Sequence, residues 1–181
     1  MPTNILKNKK IVMIVAFRNF RDEECFIPKK IFEAKGAEVK IASNKKGIAI
    51  GSEGGELNVD FLIEEVDLND FEAVIFVGGS GCLKALDNEL SYNLIKKTAS
   101  QNKLLGAICI SPVILAKAGV LSGKKATVWS SPLDKSAIEI LKKAGADYQS
   151  KPVIADGKII TAAGPFAAKQ FAEEIIKTLI S

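Results

Sequence analysis

Short apolar runs alternate with amphipathic ones along the whole chain, and Gly, Asp or Asn punctuates each join. Ile11 to Ala16 is continuously apolar and reads as a buried first strand. Phe26 to Lys35 reads as a helix closed by Gly36, and Glu38 to Ala42 as a second strand. Gly47 to Leu57 places Ile48-Ala49-Ile50 and Glu56-Leu57-Asn58 on either side of Gly51 and Gly54-Gly55, the pattern of a small antiparallel hairpin. Phe61 to Val66 reads as a short helical turn with Asp60 as its cap. Ala73 to Val77 is another buried strand, Leu90 to Ala99 a crossover helix, and Leu104 to Ile108 a further strand. Ala126 to Trp129 resumes β character, and Asp134 to Ala144 is helical with Gly145 beyond its end. Val153-Ile154 and Ile159-Ile160-Thr161 are joined through Asp156-Gly157, a strong hairpin dipeptide. Ala167 to Ile180 closes the chain as a helix with Phe171, Ile175, Ile176 and Leu179 on one face.

This alternation predicts an α/β fold with a mostly parallel central sheet and helices on both faces, residues 1–181 forming one domain. No repeat or linker interrupts it. Composition agrees, because 181 residues with 48% hydrophobic and 25% charged content can bury one sizeable core. The net charge of +4 comes from scattered lysines, clustered only briefly at Lys7 to Lys10, Lys45-Lys46 and Lys124-Lys125. These read as solvated faces, and no nucleic-acid partner is expected. Lys7 to Phe17 has the order of a signal peptide's charged and apolar regions, but Arg18 ends an apolar stretch too short for that role. No membrane contact is expected, and the reading is a soluble cytoplasmic protein.

Chemistry concentrates at Cys109. A strand runs into it and Ile110-Ser111-Pro112-Val113-Ile114-Leu115-Ala116 leaves it as a helix, so the cysteine sits on a strand-to-helix elbow. The alternative is a cysteine acting as a small buried hydrophobe. In a parallel sheet such an elbow lies at the carboxyl edge, where ligands bind near the reversal of strand order. Arg18 to Glu24 and Gly78 to Cys82 follow other strands to that same edge.

Glu24 is the carboxylate to pair with the thiol. Pro28 cannot donate to its carbonyl, which places Glu24 in the first turn of its helix. If buried, its raised proton affinity would let it donate to a Cys109 thiolate. The plainer reading makes Asp22, Glu23 and Glu24 acids favoured at a helix N-terminus. Gly78 and Gly79 form a turn whose backbone could approach an oxyanion, and Trp129 reads first as a packing residue.

The chain contains no histidine. Every scheme with an imidazole base beside the sulfur is therefore excluded. The three cysteines, Cys25, Cys82 and Cys109, are not spaced as a disulfide framework or a zinc site, so reduced thiols, no metal and no cofactor are expected.

Phe76-Val77-Gly78-Gly79, Ala107-Ile108-Cys109 with Pro112, Glu24 four residues before Pro28, and Gly164-Pro165 ahead of the last helix together resemble the ThiJ/PfpI superfamily. Its members include the Parkinsonism-associated deglycase and the PfpI intracellular proteases. The resemblance spans nearly the whole chain. It implies a flavodoxin-like three-layer sandwich, class I glutamine-amidotransferase-like, assembled as a homodimer or higher homo-oligomer. It further implies Cys109 as nucleophile, Glu24 as its hydrogen-bonding partner, and the N–H groups of Gly79 and Ile110 as oxyanion donors.

The departures from the family pattern are specific. Ile110 and Trp129 occupy the two positions where family branches carry histidine, which keeps Trp129 among the candidate binding residues. Ser111 replaces a glycine, and Val77 a proline. A peptidase needs a base for the thiol and an acid for a poor amine leaving group, help worth about 10² to 10⁴ in rate. Peptidase activity is therefore disfavoured. Addition of sulfur to a reactive 2-oxoaldehyde asks less, so glyoxalase or deglycase-like chemistry on a small aldehyde stays open. So does a stress role in which an oxidant modifies Cys109, with Cys82 or Cys25 as a resolving thiol, and so does a non-catalytic role.

Overall fold

Strand β1 (Lys10–Val15) shows how the sequence builds the layers. Five of its residues are fully buried, with Ile11, Met13 and Val15 in one core and Val12 and Ile14 in the other. Period-two alternation of side chains, apolar on both sides, is what a strand covered by helices on both faces requires. The computed structural model describes residues 4–181.

After β1 come β2 (Arg18–Phe20), α1 (Asp22–Ala34), β3 (Glu38–Ser43), β4 (Gly47–Gly51), β5 (Glu56–Val59), β6 (Phe61–Leu62) and β7 (Ala73–Phe76). Then follow α2 (Cys82–Leu86), α3 (Glu89–Ser100), β8 (Leu104–Ile108), α4 (Pro112–Lys117) and β9 (Lys125–Ala126). The last elements are α5 (Ser136–Lys143), β10 (Asp147–Tyr148), β11 (Val153–Asp156), β12 (Ile159–Ala162) and α6 (Ala168–Ile180).

Seven strands form the central sheet in the order β11-β12-β8-β7-β1-β3-β6, parallel except for β11. The chain builds outward from β1 to β3 and β6, then returns to the other side with β7 and β8. That reversal opens a crevice beyond the carboxyl ends of β1 and β7. One core unites Phe32 of α1 with Phe171 and Ile175 of α6, and the other unites Leu94 and Ile95 of α3, Ile114 of α4 and Leu141 of α5. The architecture is the flavodoxin-like α/β sandwich expected from the sequence. Gly106 allows α6 to lie close to β8, because a Cβ there would meet Phe171 Cζ at 3.0 Å.

Several local expectations change. Helix α1 starts at Asp22, four residues before the amphipathic run, because the acids occupy its first turn. Phe61 to Val66 is split between β6 and a 3-10 turn over Ile63–Glu65. Asp60 caps no helix; its carboxylate accepts the Ile41 N–H at 2.8 Å and ties the segment to β3. Ala126 to Trp129 does not continue as a strand. β9 ends at Ala126 and pairs only with β10, outside the central sheet. Among the described residues no helix is long and apolar enough to cross a membrane.

Candidate active site

Cys109 has φ +65°, left-handed backbone that a residue with a Cβ rarely adopts. Both of its backbone groups are pinned: its N–H donates to Ala162 O at 2.8 Å, and its carbonyl accepts the Trp129 N–H at 2.8 Å. Ser111 completes the elbow. Fully buried, its hydroxyl accepts the Ile108 N–H at 2.9 Å and lies 2.9 Å from Phe76 O and 2.8 Å from Ile108 O. The residue that departs from the family's glycine thus stitches the ends of β7 and β8 together beneath the cysteine. The role depends on the Phe76 carbonyl, distant in sequence, so the local pattern around Ser111 does not reveal it.

Glu24 reaches the same spot from α1 and is completely buried. Its Oε2 accepts the Gly78 N–H at 2.9 Å, while Oε1 makes no well-formed hydrogen bond among the described residues. A Cβ on Gly78 would lie 2.5 Å from Glu24 Oε2 and 2.7 Å from Cys109 Cβ. Glycine is therefore required between the two groups. Gly79 is held at φ +110°, and the neighbouring Arg21 N–H donates to Gly78 O at 3.0 Å. Gly79 N–H makes no hydrogen bond among the described residues, and Ile110 N–H faces the Cys109 sulfur. The structure thus brings Glu24, Gly78, Gly79, Cys109 and Ile110 together at one edge, with Trp129 joined through its backbone.

The electrostatics run against one expectation. Burial pushes Glu24 up to about 7, partly offset by the Cys109 thiol and the Gly78 N–H. Burial also raises the Cys109 thiol well above its ordinary value, with the Glu24 charge adding to the rise and the Ile110 N–H opposing it. An ionised sulfur beside a neutral acid was expected; the environment instead makes Glu24 the stronger acid. No cation or histidine lies among the influences on Cys109 to reverse that order. The two groups titrate as a unit, the first proton leaving near neutrality.

The other thiols offer little chemistry. Cys25 and Cys82 are both fully buried, and Cys109 is the half-buried one. Burial pushes Cys25 up to about 12 and also raises Cys82. Neither is placed to supply an accessible resolving thiolate. Among the described residues no three of His, Cys, Asp and Glu converge as a metal cluster would require.

A second carboxylate shapes the surroundings. Asp22 Oδ2 accepts the Glu53 N–H at 2.8 Å and Oδ1 the Gly55 N–H at 2.7 Å, which holds the β4–β5 turn against α1. β4 also pairs with β2, the strand leading into the Arg21-to-Glu24 turn. The sequence showed Asp22 only as one of three adjacent acids. Gly51 and Gly55, whose Cβ positions Asp22 would occupy, were the available signal.

A strained strand-to-helix turn carrying Cys109, with a buried carboxyl and a glycine turn beside it on a flavodoxin-like sheet, describes the site's geometry. The DJ-1/PfpI family pattern matches residues 9–178, and the chain belongs to that family. It is 43% identical over 175 residues to protein MJ0967 of Methanocaldococcus jannaschii, covering 96% of this chain and 84% of that one. It is 32% identical over 168 residues to the deglycase PYRAB04690 of Pyrococcus abyssi, covering 93% and 98% of the two chains. The crystal structure of a ThiJ/PfpI domain protein from Brachyspira murdochii superposes with a TM-score of 0.89 at 35% identity, covering 96% of each chain.

Proposed function

We propose that this protein acts on reactive 2-oxoaldehydes or their early adducts in glycation defence, with Cys109 as nucleophile and Glu24 as its proton relay. The observation that carries the reading is the buried Glu24 carboxyl held by the Gly78 N–H directly beside the Cys109 thiol. The deglycase name of the Pyrococcus abyssi relative supports it.

At neutral pH a share of Glu24 is carboxylate, because its proton affinity lies near 7. Sulfur attacks the aldehyde carbon as the thiol proton passes to Glu24, and the carbonyl oxygen takes up the negative charge. The N–H groups of Gly79 and Ile110 are the donors for that oxygen. Glu24 then returns its proton to it, leaving a neutral hemithioacetal. In the next step Glu24 removes the proton from the former aldehyde carbon to give an enediolate and delivers it to the adjacent carbon, while the hydroxyl proton on the former aldehyde oxygen passes to the neighbouring oxygen, giving a 2-hydroxy thioester. Water releases the 2-hydroxy acid and restores the thiol. The balance is one aldehyde and one water consumed for each acid formed.

This route needs no imidazole, which suits a chain without histidine. A peptide is a poorer substrate, since its amine leaving group would need a further acid. A redox-sensing role is less well supported, because a raised thiol reacts slowly with peroxide. The test is incubation with methylglyoxal and measurement of lactate. Turnover that disappears in Cys109→Ser and falls at least about 10²-fold in Glu24→Gln supports the reading. Wild-type protein that forms no lactate refutes it.

A further inference from the structure

Helix α1 begins without a side-chain cap, because Arg21 stands at its N-cap position in extended backbone and its side chain satisfies no N–H of the first turn. Pro28 has no N–H to give the Glu24 carbonyl, so the turn that carries the buried carboxyl also lacks an internal bond. Its direction is therefore set from outside.

Two anchors set it. On the sheet side Gly78 holds both ends of the segment, its carbonyl accepting the Arg21 N–H at 3.0 Å and its N–H donating to Glu24 Oε2 at 2.9 Å. Residues two apart do not share a helix face, so Asp22 pulls from elsewhere. Its carboxylate, 8% exposed, accepts the Glu53 N–H at 2.8 Å and the Gly55 N–H at 2.7 Å. Charge-assisted bonds of this kind are roughly twice as strong as neutral ones. The β4–β5 turn is built around that carboxylate. Gly51 N–H donates to Gly55 O at 2.8 Å, Ser52 N–H to Phe20 O at 2.8 Å and Gly54 N–H to Gly51 O at 3.1 Å, which leaves the Glu53 and Gly55 N–H groups for Asp22. A Cβ on Gly51 or Gly55 would collide with the carboxylate, and one on Gly55 also with the Phe26 ring.

We infer that Asp22 is a positioning residue for Glu24, clamping the first turn of α1 to the β4–β5 turn so that the buried carboxyl stays against Cys109. Without the clamp the first turn keeps only its Gly78 contacts, and water reaches the carboxyl. A misplacement of about 1 Å in such a site can cost about 10²-fold in rate. The charged and titratable groups around Glu24 are Arg21, Glu23, Cys25, Cys82 and Cys109, none of which contributes a side chain to the clamp. The effect of Asp22 on turnover rests on the aldehyde reading above, whereas its effect on the thiol does not.

The test uses the full chain carrying Asp22→Asn, Gly55→Ala or both, each kept below its measured unfolding transition. It follows the pH dependence of Cys109 alkylation by iodoacetamide, and kcat and KM for lactate formation from methylglyoxal. Asp22→Asn turns an amide NH2 toward backbone N–H groups. Gly55→Ala breaks the same clamp from the other side and keeps every charge, so an effect shared by the two is one of position. In both, the inflection near pH 7 is expected to move down by about half a unit or more, because hydration favours the carboxylate. The value of kcat is expected to fall about tenfold or more, with KM within about twofold. The double variant is expected to be no worse than the poorer single one, since one clamp is lost in each. Asp60→Asn removes the same type of bond at the Ile41 N–H, and is expected to lower stability while leaving both readouts unchanged. Folded variants that keep the wild-type inflection, or that turn over as wild type does, overturn the role. So do an equal effect of Asp60→Asn and a wild type without the inflection. A shifted inflection in a protein that forms no lactate upholds the positioning of Glu24 and removes the aldehyde chemistry instead.

Discussion

Glu24 accepts the Gly78 N–H at 2.9 Å across 54 positions of sequence, joining the first turn of α1 to the end of β7. That bond sets the carboxyl against Cys109 and leaves room for nothing larger than hydrogen at position 78. Gly78→Ala tests it. The added methyl collides with both Glu24 Oε2 and Cys109 Cβ. Overpacking of this kind costs about 1–3 kcal/mol, so the variant unfolds at lower denaturant than wild type. Lactate formation from methylglyoxal is expected to fall with it, even below the unfolding transition.

Glu24 also makes stability depend on pH. Its proton affinity rises from an ordinary 4.5 to about 7 in the folded protein, so the native state holds the proton more tightly than the unfolded chain. The associated stability is fully present below about pH 4.5 and lost as pH rises through 7. At about 1.4 kcal/mol per tenfold change in affinity, the loss attributable to this group approaches ~3 kcal/mol. Urea titrations between pH 4.5 and 8 check it. Glu24→Gln, which cannot ionise, is expected to flatten this part of the profile.

Ser111 holds the elbow from below. Ser111→Ala removes the hydroxyl that serves Ile108 N and lies against Phe76 O, leaving buried backbone groups short of a partner. The expected cost is about 1–3 kcal/mol. Thermal unfolding measures the loss. Alkylation of Cys109 in the folded variant shows whether the strained backbone has relaxed, in which case its rate departs from that of wild type.

Thiol accessibility separates the three cysteines. Brief iodoacetamide treatment of the native protein, followed by mass spectrometry, is expected to modify Cys109 alone, because Cys25 and Cys82 are completely buried. In denaturant all three react. Modification of Cys82 as fast as Cys109 in the folded state is incompatible with this packing.

Much of this arrangement is legible in the sequence for identifiable reasons. The runs at Ile11, Ala73 and Leu104 are apolar on both faces because helices cover both sides, which makes the central strands conspicuous. Asp156-Gly157 marks its hairpin because Gly157 adopts φ +61°. What stayed hidden depends on partners distant in sequence. Arg18–Phe20 is a strand only because β4 comes beside it, and Thr127 to Trp129 leaves strand geometry after β9 finds only the two-residue β10. Asp60 resembles a cap locally, yet its acceptor role goes to Ile41. At the site, Cys109 and Glu24 could be named from elbow and proline, whereas the direction of their proton sharing follows from burial that no local pattern encodes.

The most direct test of the central claim is the pH dependence of Cys109 alkylation in wild type and in Glu24→Gln. If the carboxyl takes up the proton of the adjacent thiol, the wild-type rate climbs with an inflection near pH 7 that is absent from the variant, whose rate rises only at strongly alkaline pH. Superimposable curves with one inflection near that of a free cysteine would show that Glu24 does not govern the sulfur.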